Sequence, residues 1–301
     1  MGNKSWIIYA ALLVVFWGVW GAFSALPTQI YRYPDQMVYI IWAFTMLIPC
    51  YFSLRHKRFD RRAIAAFYGL LIGLAGAGGQ LILFKALTIG PAYLIFPVVS
   101  ISPVITVLLA LLILREKVSR VGWAGVVLAL VSIIMFSVPD STKAGLQFGA
   151  WLMLAVIVCV CWGSQAFLMK RAANAGINDA SVFAYMTISG LLLVPLAFLT
   201  MHGNGFDFSW KAPALTTAIQ LLNAIGALFL VMAMSRGKAV IVAPCTNALA
   251  PILTIVLSLA FYRAFPSVWS VSGIVLALCG STLMVYSEEA AGTVPLAASV
   301  R

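Results

Sequence analysis

Long apolar stretches dominate the sequence, and each is long enough to cross the hydrocarbon core of a bilayer. Because 63% of its 301 residues are hydrophobic and only 9% are charged, with a mean hydropathy of +1.05, the chain lacks the composition of a soluble domain. About 20 apolar residues in a helix cross a core of roughly 30 Å. Ten such stretches predict an all-α membrane protein with ten transmembrane helices. Their approximate bounds are 5–25, 37–54, 63–87, 92–114, 121–138, 150–169, 181–201, 213–234, 240–262 and 268–286.

The second half of the chain repeats the first. The segment GVVLAL at 125–130 reads against GIVLAL at 273–278, an offset of 148 residues. The same offset pairs Pro103 with Pro251. Chance matches are common in apolar sequence, but prolines and glycines at shared spacing are harder to obtain by chance.

A Trp-Gly pair at 17–18 also reads against a pair at 162–163. We therefore expect the first stretch to be a span and not a cleaved signal peptide, which would have no reason to match a later segment. The predicted organisation is one five-helix repeat over 1–143, a second over 144–287 and a cytoplasmic tail over 288–301 that we expect to be disordered.

The distribution of Lys and Arg predicts the orientation, because cytoplasmic loops retain positive charge. With the N-terminus placed inside, thirteen cations fall on the inner side and four on the outer side, with Lys85 and Arg301 set aside. We therefore expect both termini to be cytoplasmic. The inner cations are Lys4, Arg55, Lys57, Arg58, Arg61, Arg62, Arg115, Lys117, Arg120, Lys170, Arg171, Arg236 and Lys238, and the outer ones are Arg32, Lys143, Lys211 and Arg263.

Equivalent loops of the two repeats exchange their charge. The basic loop 55–62 corresponds to 202–211, which has one cation, and the nearly uncharged loop 88–92 corresponds to the basic 236–238. An odd number of spans per repeat inverts the second copy, so this exchange is expected. The sequence thus predicts two inverted five-helix repeats around a central cavity, an organisation typical of secondary transporters whose substrate site lies near the midplane.

Several short motifs recur in order along both halves. They are the Trp-Gly pair in the first span of each half, the segment Ala86-Leu87 to Gly90 leading into Pro103, and the end Leu114-Arg115-Glu116 followed by Gly122 and Gly125. Over nearly the whole chain they resemble the drug/metabolite transporter superfamily, and within it the EamA-type ten-span transporters. One position departs from the family, because Glu116 is matched in the second half by Ala264.

The resemblance implies a basket of ten helices in which spans one to four and six to nine enclose a cavity, with the fifth and tenth peripheral. Polar residues in the predicted spans favour the same picture, since an amide facing lipid would lack partners. The alternative role for such residues is hydrogen bonding between helices, and packing against the following glycine is the alternative for each tryptophan. The substrate-binding candidates are Trp17, Gln80, Ser100, Trp162, Gln165, Asn223 and Asn247.

Prolines flank two of these candidates and predict breaks or hinges in the fourth and ninth spans. Each removes a backbone donor, which leaves carbonyl groups that need partners or can serve a ligand. Ser100 and Asn247 occupy matching places, and both should approach the midplane. The alternative is that the prolines merely bend two helices. The hinge prolines are Pro97, Pro103, Pro244 and Pro251.

Lys85 is the one formal charge within a predicted span. From Arg62 at the inner edge, about 23 residues at 1.5 Å each carry the chain roughly 34 Å, the full hydrocarbon thickness. We therefore expect Lys85 to reach the outer interface. If it contacts substrate instead, it does so at the outer mouth.

The sequence lacks the residues that several other functions require. All eight acids fall in loops, span ends or the tail, so no buried carboxylate is predicted for proton or sodium coupling. No phosphate-binding loop, catalytic triad or metal-ligand cluster is visible. We therefore expect neither an enzyme nor a cofactor, and no metal site. We interpret the net charge of +11 as the positive charge of short loops that orients the chain during membrane insertion. We therefore expect no nucleic-acid partner.

These inferences predict a secondary transporter that moves small polar organic metabolites by alternating access. Amino acids and related compounds, by export or exchange, are the favoured substrates at the level of the family. A sugar or nucleobase carrier is the alternative, and a membrane sensor or scaffold without flux is the alternative of another class. Its expected partners are the lipid bilayer and a small-molecule substrate, with a monomer or homodimer in the plasma membrane, specifically a bacterial inner membrane.

Overall fold

The computed structural model describes residues 5–55, 57–114, 119–137, 149–201, 209–236, 249–263 and 265–292, and the regular structure in these ranges is helical. The helices are α1 (Ser5–Phe23), α2 (Leu26–Tyr31), α3 (Asp35–Thr45), α4 (Leu47–Leu54), α5 (Ala63–Ile89), α6 (Ala92–Val99), α7 (Pro103–Leu109), α8 (Arg120–Ser137), α9 (Ala150–Asn174), α10 (Asp179–Leu192), α11 (Val194–Leu199), α12 (Lys211–Arg236), α13 (Ala250–Tyr262) and α14 (Val268–Gly292). A π-helical turn, Ala110–Leu114, follows α7.

Seven described helical segments are long and apolar enough to cross a bilayer. Three shorter apolar helices correspond to the fifth, ninth and tenth predicted stretches: Arg120–Met135, Ala250–Tyr262 and Val268–Leu283. Residues 240–248, the first part of the ninth stretch, lie outside the described residues. The seven segments are Ile7–Tyr31, Asp35–Leu54, Ala63–Ile89, Ala92–Ile113, Ala150–Met169, Asp179–Leu199 and Lys211–Phe229.

Four of these segments are interrupted, and a proline accounts for each interruption. A proline inside a helix lacks an N–H and its ring clashes with the carbonyl four residues earlier. Phe23, Thr45 and Val99 are the last residues of α1, α3 and α6, and each lies four residues before a proline. The helix α10 ends one residue after the equivalent position. The four prolines are Pro27, Pro49, Pro103 and Pro195.

The sequence-based hinge assignment is therefore corrected at Pro97. This proline lies inside α6, and the chain does not break there. The break comes at residues 100–102, because Pro103 opposes the carbonyl of Val99. Pro251 is the second residue of α13 as described, and helical backbone already precedes it at Leu249. Pro244 is outside the described residues.

The end of the chain also differs from the prediction. The helix α14 continues to Gly292, five residues into the segment that we expected to be a disordered tail. The reason is local, because Glu288, Glu289, Ala290 and Ala291 are all strong helix formers.

Helix pairs that pack between the two halves occur in equivalent sets. The third span of each half packs on the first span of the other, as α5 with α9 and α12 with α1. The fourth and ninth spans behave alike, since α7 packs on α9 and α13 packs on α1. The fifth and tenth, α8 and α14, pack on each other. This pattern fits an architecture of two repeats.

Each Trp-Gly pair binds the opposite half through its tryptophan. Trp17 Nε1 donates to the Asn223 carbonyl at 3.1 Å, and Trp162 Nε1 donates to the Gly76 carbonyl at 3.3 Å. Residues 76 and 223 are equivalent, at an offset of 147. Both indoles also lie against glycines, because a Cβ atom at Gly226 would collide with Trp17 and one at Gly79 would lie 2.7 Å from Trp162 Nε1.

The glycine of each pair binds the opposite half through its carbonyl. Thr254 Oγ1 donates to the Gly18 carbonyl at 3.1 Å, and Thr106 Oγ1 donates to the Gly163 carbonyl at 3.0 Å. The two threonines are equivalent at an offset of 148. The Trp-Gly motif therefore joins three helices in each half of the interface.

The outward faces of the helices are strongly apolar. Large side chains such as Phe67, Leu112, Ile134 and Leu199 are between 60% and 80% exposed. Apolar exposure on this scale is unfavourable in water and suits contact with lipid tails. Together with the seven apolar helical segments, it shows an integral membrane protein.

We predict opposite effects from alanine at two adjacent glycines of α5. Gly79→Ala places a Cβ 2.7 Å from Trp162 Nε1 and should lower stability by about 1–3 kcal/mol. Gly78→Ala is the control, because nothing lies within 4 Å of its Cβ position, and alanine favours the helix. Thermal unfolding in detergent measures both variants. Equal loss of stability in the two would mean that the close Trp162 contact does not limit packing.

Candidate functional site

A cleft of about 210 Å³ opens at one end of the helix bundle. It lies where α1 gives way to α2, where α6 begins and where α13 ends. The charge distribution predicts that this end faces outward. Its lining residues are Ala25, Gln29, Pro91, Ala92, Tyr93 and Tyr262.

Two buried aromatic side chains lie about one helical turn deeper than the residues that line this cleft. Gly21 lies one turn below Ala25 on α1, and a Cβ atom at Gly21 would lie 3.2 Å from the Phe96 ring. Phe96 is one turn below Ala92 on α6, and its ring packs edge-to-face with Trp20, with the ring centroids 5.6 Å apart. We call this pair, Trp20 and Phe96, the cleft floor, although neither ring is among the lining residues.

Trp20 connects the cleft floor to a buried amide on α12. Its Nε1 donates to Gln220 Oε1 at 3.0 Å, and the Gln220 side chain is 0% exposed. Because an indole nitrogen only donates, this bond assigns the oxygen of the amide to the side of Trp20. The amide nitrogen points elsewhere and has no hydrogen-bond partner among the described residues. A buried amide left without a hydrogen bond costs about 1–3 kcal/mol.

Most of the other unpartnered buried atoms are also donors. The nitrogens are Trp42 Nε1, Gln80 Nε2 and Trp151 Nε1, and the remaining atoms are the hydroxyls of Ser258 and Tyr262. Every buried polar side chain within the described ranges is uncharged. In the same ranges no group of three His, Cys, Asp or Glu side chains could hold a metal ion. The described interior thus presents neutral hydrogen-bond donors.

The two tryptophan candidates are engaged in the interface between the halves. Trp17 and Trp162 donate to backbone carbonyls and lie against glycines, so the geometry favours the packing alternative that the sequence left open. Asn223 is buried, and it is its backbone carbonyl that receives Trp17.

The remaining candidates lie at separate places. Gln80 is 4% exposed with its Nε2 unpartnered. Gln165 packs against Gly76 and donates to Met186 Sδ at 3.9 Å. Ser100 lies in the break after α6, where its hydroxyl donates to the Pro97 carbonyl at 2.7 Å.

Asn247 lies outside the described residues, as do both positions, 116 and 264, at which the sequence departs from the family pattern. The central cavity at the midplane therefore stays a prediction.

Lys85 is exposed near the end of α5. It is not among the residues that line the cleft. Its ammonium group attracts the carboxylate of Asp35, at the start of α3, without forming an ion pair within 4 Å in the described structure. Exposure of the side chain agrees with a position at the membrane interface.

At the opposite end of the bundle, a loop of the first half is tied to the second half. The Asp60 amide donates to Ser181 Oγ at 2.8 Å, and the Tyr185 hydroxyl donates to the Asp60 carbonyl at 3.0 Å. Asn178 Nδ2 donates to the Arg58 carbonyl at 3.2 Å. We call residues 57–62 with these partners the loop tie.

Arg62 strengthens the loop tie. It forms an ion pair with Asp60 at 2.6 Å and donates to the Gly176 carbonyl at 3.3 Å. Hydrogen bonds from Arg62 hold the pKa of the Asp60 carboxyl below its ordinary value. Because the folded pKa is lowered, the contribution of this pair is present above the unfolded value of about 3.9 and is lost as the pH falls through the folded value.

The loop tie and the cleft lie at opposite ends of α5. Arg62 is the N-cap of this helix, and Pro91 follows its C-cap, Gly90. A helix of 27 residues is about 40 Å long, which exceeds the hydrocarbon thickness. The cleft and the hydrogen-bonded loop tie therefore lie at the two ends of a helix that is long enough to cross a bilayer.

Sequence reasoning missed Gln220, although it selected four other amides. The glycine face of α5 and a polar face of α12 are equivalent at the offset of 147, so Gln220 matches Gly73. The signal that could have found it is this replacement of a small residue by an amide. The matched positions are Gly69 with Thr216, Gly73 with Gln220, Gly76 with Asn223 and Gly79 with Gly226.

Comparison with known families finds the same two repeats. The sequence profile of the EamA-like transporter family matches residues 4–138 and again residues 149–286. Uncharacterized protein MJ1333.1 of Methanocaldococcus jannaschii is 27% identical over 137 residues, which cover 97% of that protein and 44% of this chain. This relative therefore has about the length of one matched segment.

Two further similarities extend over more of the chain. Uncharacterized transporter YojE of Bacillus subtilis is 22% identical over 216 residues, covering 67% of this chain and 66% of YojE. A protein of known crystal structure superimposes with a TM-score of 0.60 at 15% identity, covering 93% of this chain and 97% of the other. The latter similarity concerns the fold alone.

We predict that removing one hydroxyl loosens the loop tie. Ser181→Ala deletes the acceptor of the Asp60 amide, and loss of a hydrogen bond worth about 1 kcal/mol should speed exchange of that amide roughly fivefold. Hydrogen exchange with mass spectrometry on the peptide containing 57–62 measures the effect. Tyr185→Phe should act in the same direction, whereas Tyr51→Phe, at an exposed ring of α4, is the control. Unchanged exchange in Ser181→Ala and Tyr185→Phe would contradict a closed tie.

Proposed function

The chain belongs to the EamA-like transporter family of integral membrane proteins, and from this premise we propose that it is a secondary transporter of a small polar organic metabolite. The observation that carries the proposal is the pairing of an open cleft with a closed loop tie at opposite ends of α5. Alternating access requires one face to be open while the other is closed.

The proposed architecture has ten spans in two inverted repeats. Three observations support it: the two matches to the family profile, the equivalent sets of packed helix pairs, and the reciprocal binding of the two Trp-Gly pairs. Inversion accounts for the exchange of charge between equivalent loops. We place both termini in the cytoplasm of a bacterial cell, the cleft at the outer face and the loop tie at the inner face.

Labelling of cysteines from one side of the membrane tests the inversion. Loops 55–62 and 202–211 are equivalent, and Lys57→Cys and Trp210→Cys place an exposed thiol in each. We expect a membrane-impermeant maleimide added outside intact cells to label Trp210→Cys and not Lys57→Cys, because inversion puts them on opposite faces. Arg32→Cys serves as a second outer position. Labelling of both loops from the same side would rule out an inverted repeat.

The described interior suits a polar, uncharged binding site. Its buried polar side chains are amides, hydroxyls and indoles, with no buried acid or base in the described ranges. Proton or sodium coupling through a buried carboxylate therefore has no support there, and we propose facilitated diffusion or exchange. Amino acids and related compounds are the proposed substrates, and a sugar or nucleobase is the alternative.

Counterflow in liposomes tests the proposed function directly. Purified protein is reconstituted, the vesicles are loaded with one unlabelled solute, and entry of the labelled solute is measured for L-amino acids, D-glucose and uracil. We expect at least one solute to exchange faster than in empty liposomes and to saturate with concentration. No flux for any class of solute would favour a sensor or scaffold over a carrier.

The same assay tests the remaining sequence candidates. If either Gln165 or Asn247 contacts the solute, its replacement by Ala should raise the half-saturation concentration for transport about tenfold. This is the effect of one lost hydrogen bond in a buried site. Gln36→Ala, at an amide that donates to the Thr200 carbonyl near the surface, is the matched control. Unchanged transport in both Gln165→Ala and Asn247→Ala would remove them from the binding site.

A further inference from the structure

Gln220 has a hydrogen-bonding capacity that the fold does not use. Its side chain is 0% exposed, its oxygen accepts from Trp20 Nε1 at 3.0 Å, and its nitrogen has no partner. An amide free to rotate could exchange its two ends, but the Trp20 donor keeps the oxygen on one side. The two N–H donors of Gln220 therefore have a fixed direction and no acceptor.

The scaffold itself does not require this amide. The equivalent position in the first half is Gly73, on a helix that packs in the equivalent way. There the space is filled by Ser189 from the opposite half, with its hydroxyl bonded to the Leu70 carbonyl at 3.3 Å. The amide is thus present in one repeat and absent from the other.

The location of Gln220 connects it to the cleft. The Trp20 Nε1 donates to the amide oxygen of Gln220, and the Trp20 ring packs edge-to-face with Phe96 in the cleft floor. Trp20 thus lies next to the buried donors of Gln220 and about one helical turn deeper than the cleft of about 210 Å³. The buried polar side chains of the described residues are uncharged, so Gln220 would donate hydrogen bonds to a solute without a buried charge beside it.

We infer that Gln220 is a substrate-binding residue whose amide N–H groups donate to an acceptor oxygen of the solute, with Trp20 as the residue that positions the amide. This inference rests on the proposed transport function and specifies its binding site. The ligand class is a small organic molecule with a carboxylate or carbonyl oxygen. Such an oxygen satisfies the unpartnered donors as the solute passes the cleft floor.

A paired substitution separates substrate binding from a purely structural role. In Trp20→Phe/Gln220→Met both hydrogen-bonding groups are removed together, so no buried donor or acceptor is left unpaired. Phenylalanine keeps an aromatic ring against Phe96, and methionine keeps the length of glutamine. The double variant should therefore fold with a melting temperature close to that of the unmodified chain. If Gln220 only serves Trp20, this variant should bind solutes normally.

Binding is measured by thermal shift and calorimetry on detergent-purified protein. The probes are L-leucine and L-phenylalanine, their decarboxylated counterparts isopentylamine and phenylethylamine, D-glucose and uracil. We expect the unmodified chain to bind an amino acid or uracil, which carry a carboxylate or carbonyl oxygen, in preference to D-glucose, and an amino acid that binds to do so more tightly than its amine. The double variant should bind that probe at least about tenfold more weakly. Gln36→Met should bind it normally.

Trp20→Phe alone tests the positioning role. Releasing the amide lets it present either its oxygen or its nitrogen to the solute, so the discrimination between amino acid and amine should fall. A structural role for Trp20 would leave this ratio unchanged. Wild-type affinity in the double variant, equal binding of amino acid and amine, or no binding of any probe to the unmodified chain would each overturn the inference.

These results remain distinguishable from a failure of the transport proposal. Binding that is lost in the double variant, with no counterflow in liposomes, would uphold Gln220 as a ligand-binding residue and overturn the carrier. Counterflow that is unchanged in the double variant would uphold the carrier and overturn the role of Gln220.

Discussion

The reciprocal binding of the two Trp-Gly pairs is the interaction on which the described structure depends. Each pair uses an indole donor and a glycine carbonyl to hold two helices of the opposite half. In lipid there is little hydrophobic drive to bring helices together, so close packing at small residues and interhelical hydrogen bonds supply much of the association. The two equivalent contacts put α1 and α9 at the centre of the interface. The cleft, its floor and the loop tie are all arranged around these two helices or the α5 helix that packs on α9.

Prolines determine where the spans are interrupted. In a bilayer an interrupted helix exposes carbonyls that need partners, and the breaks in this chain supply some of them locally. At residues 100–102, for example, the Ser100 hydroxyl bonds the Pro97 carbonyl while the Ser102 amide bonds the Val99 carbonyl. The break between α6 and α7 lies between the cleft above and the Thr106 contact below. The fourth span thus contains both an irregular segment and the Thr106 hydrogen bond that joins the two halves.

Composition and repetition were sufficient to predict much of the fold. The apolar stretches located the seven long helical segments to within about six residues, and the motifs identified the family that the profile match confirms. The helix breaks at Pro27, Pro49 and Pro195 were not predicted, because a proline within an apolar stretch can either bend a helix or interrupt it. The site was predicted less well. Periodicity shows that an amide is in a span but not which neighbour it meets, so the engaged Trp17 and the unpartnered Gln220 could not be told apart.

The glycines of α5 and their polar counterparts on α12 give the two halves different packing surfaces at equivalent positions. Along α5 the positions 69, 73, 76 and 79 carry no side chains, so the facing residues of α9 and α10 rest on bare backbone. Along α12 the same positions carry a threonine, a glutamine and an asparagine before the final glycine. On the α5 side the opposite half therefore supplies the side chains that fill the interface, whereas on the α12 side the helix contributes its own. Equivalent substitutions in the two halves should consequently have unequal effects, because a larger residue on α5 meets an occupied space and a smaller residue on α12 leaves one empty.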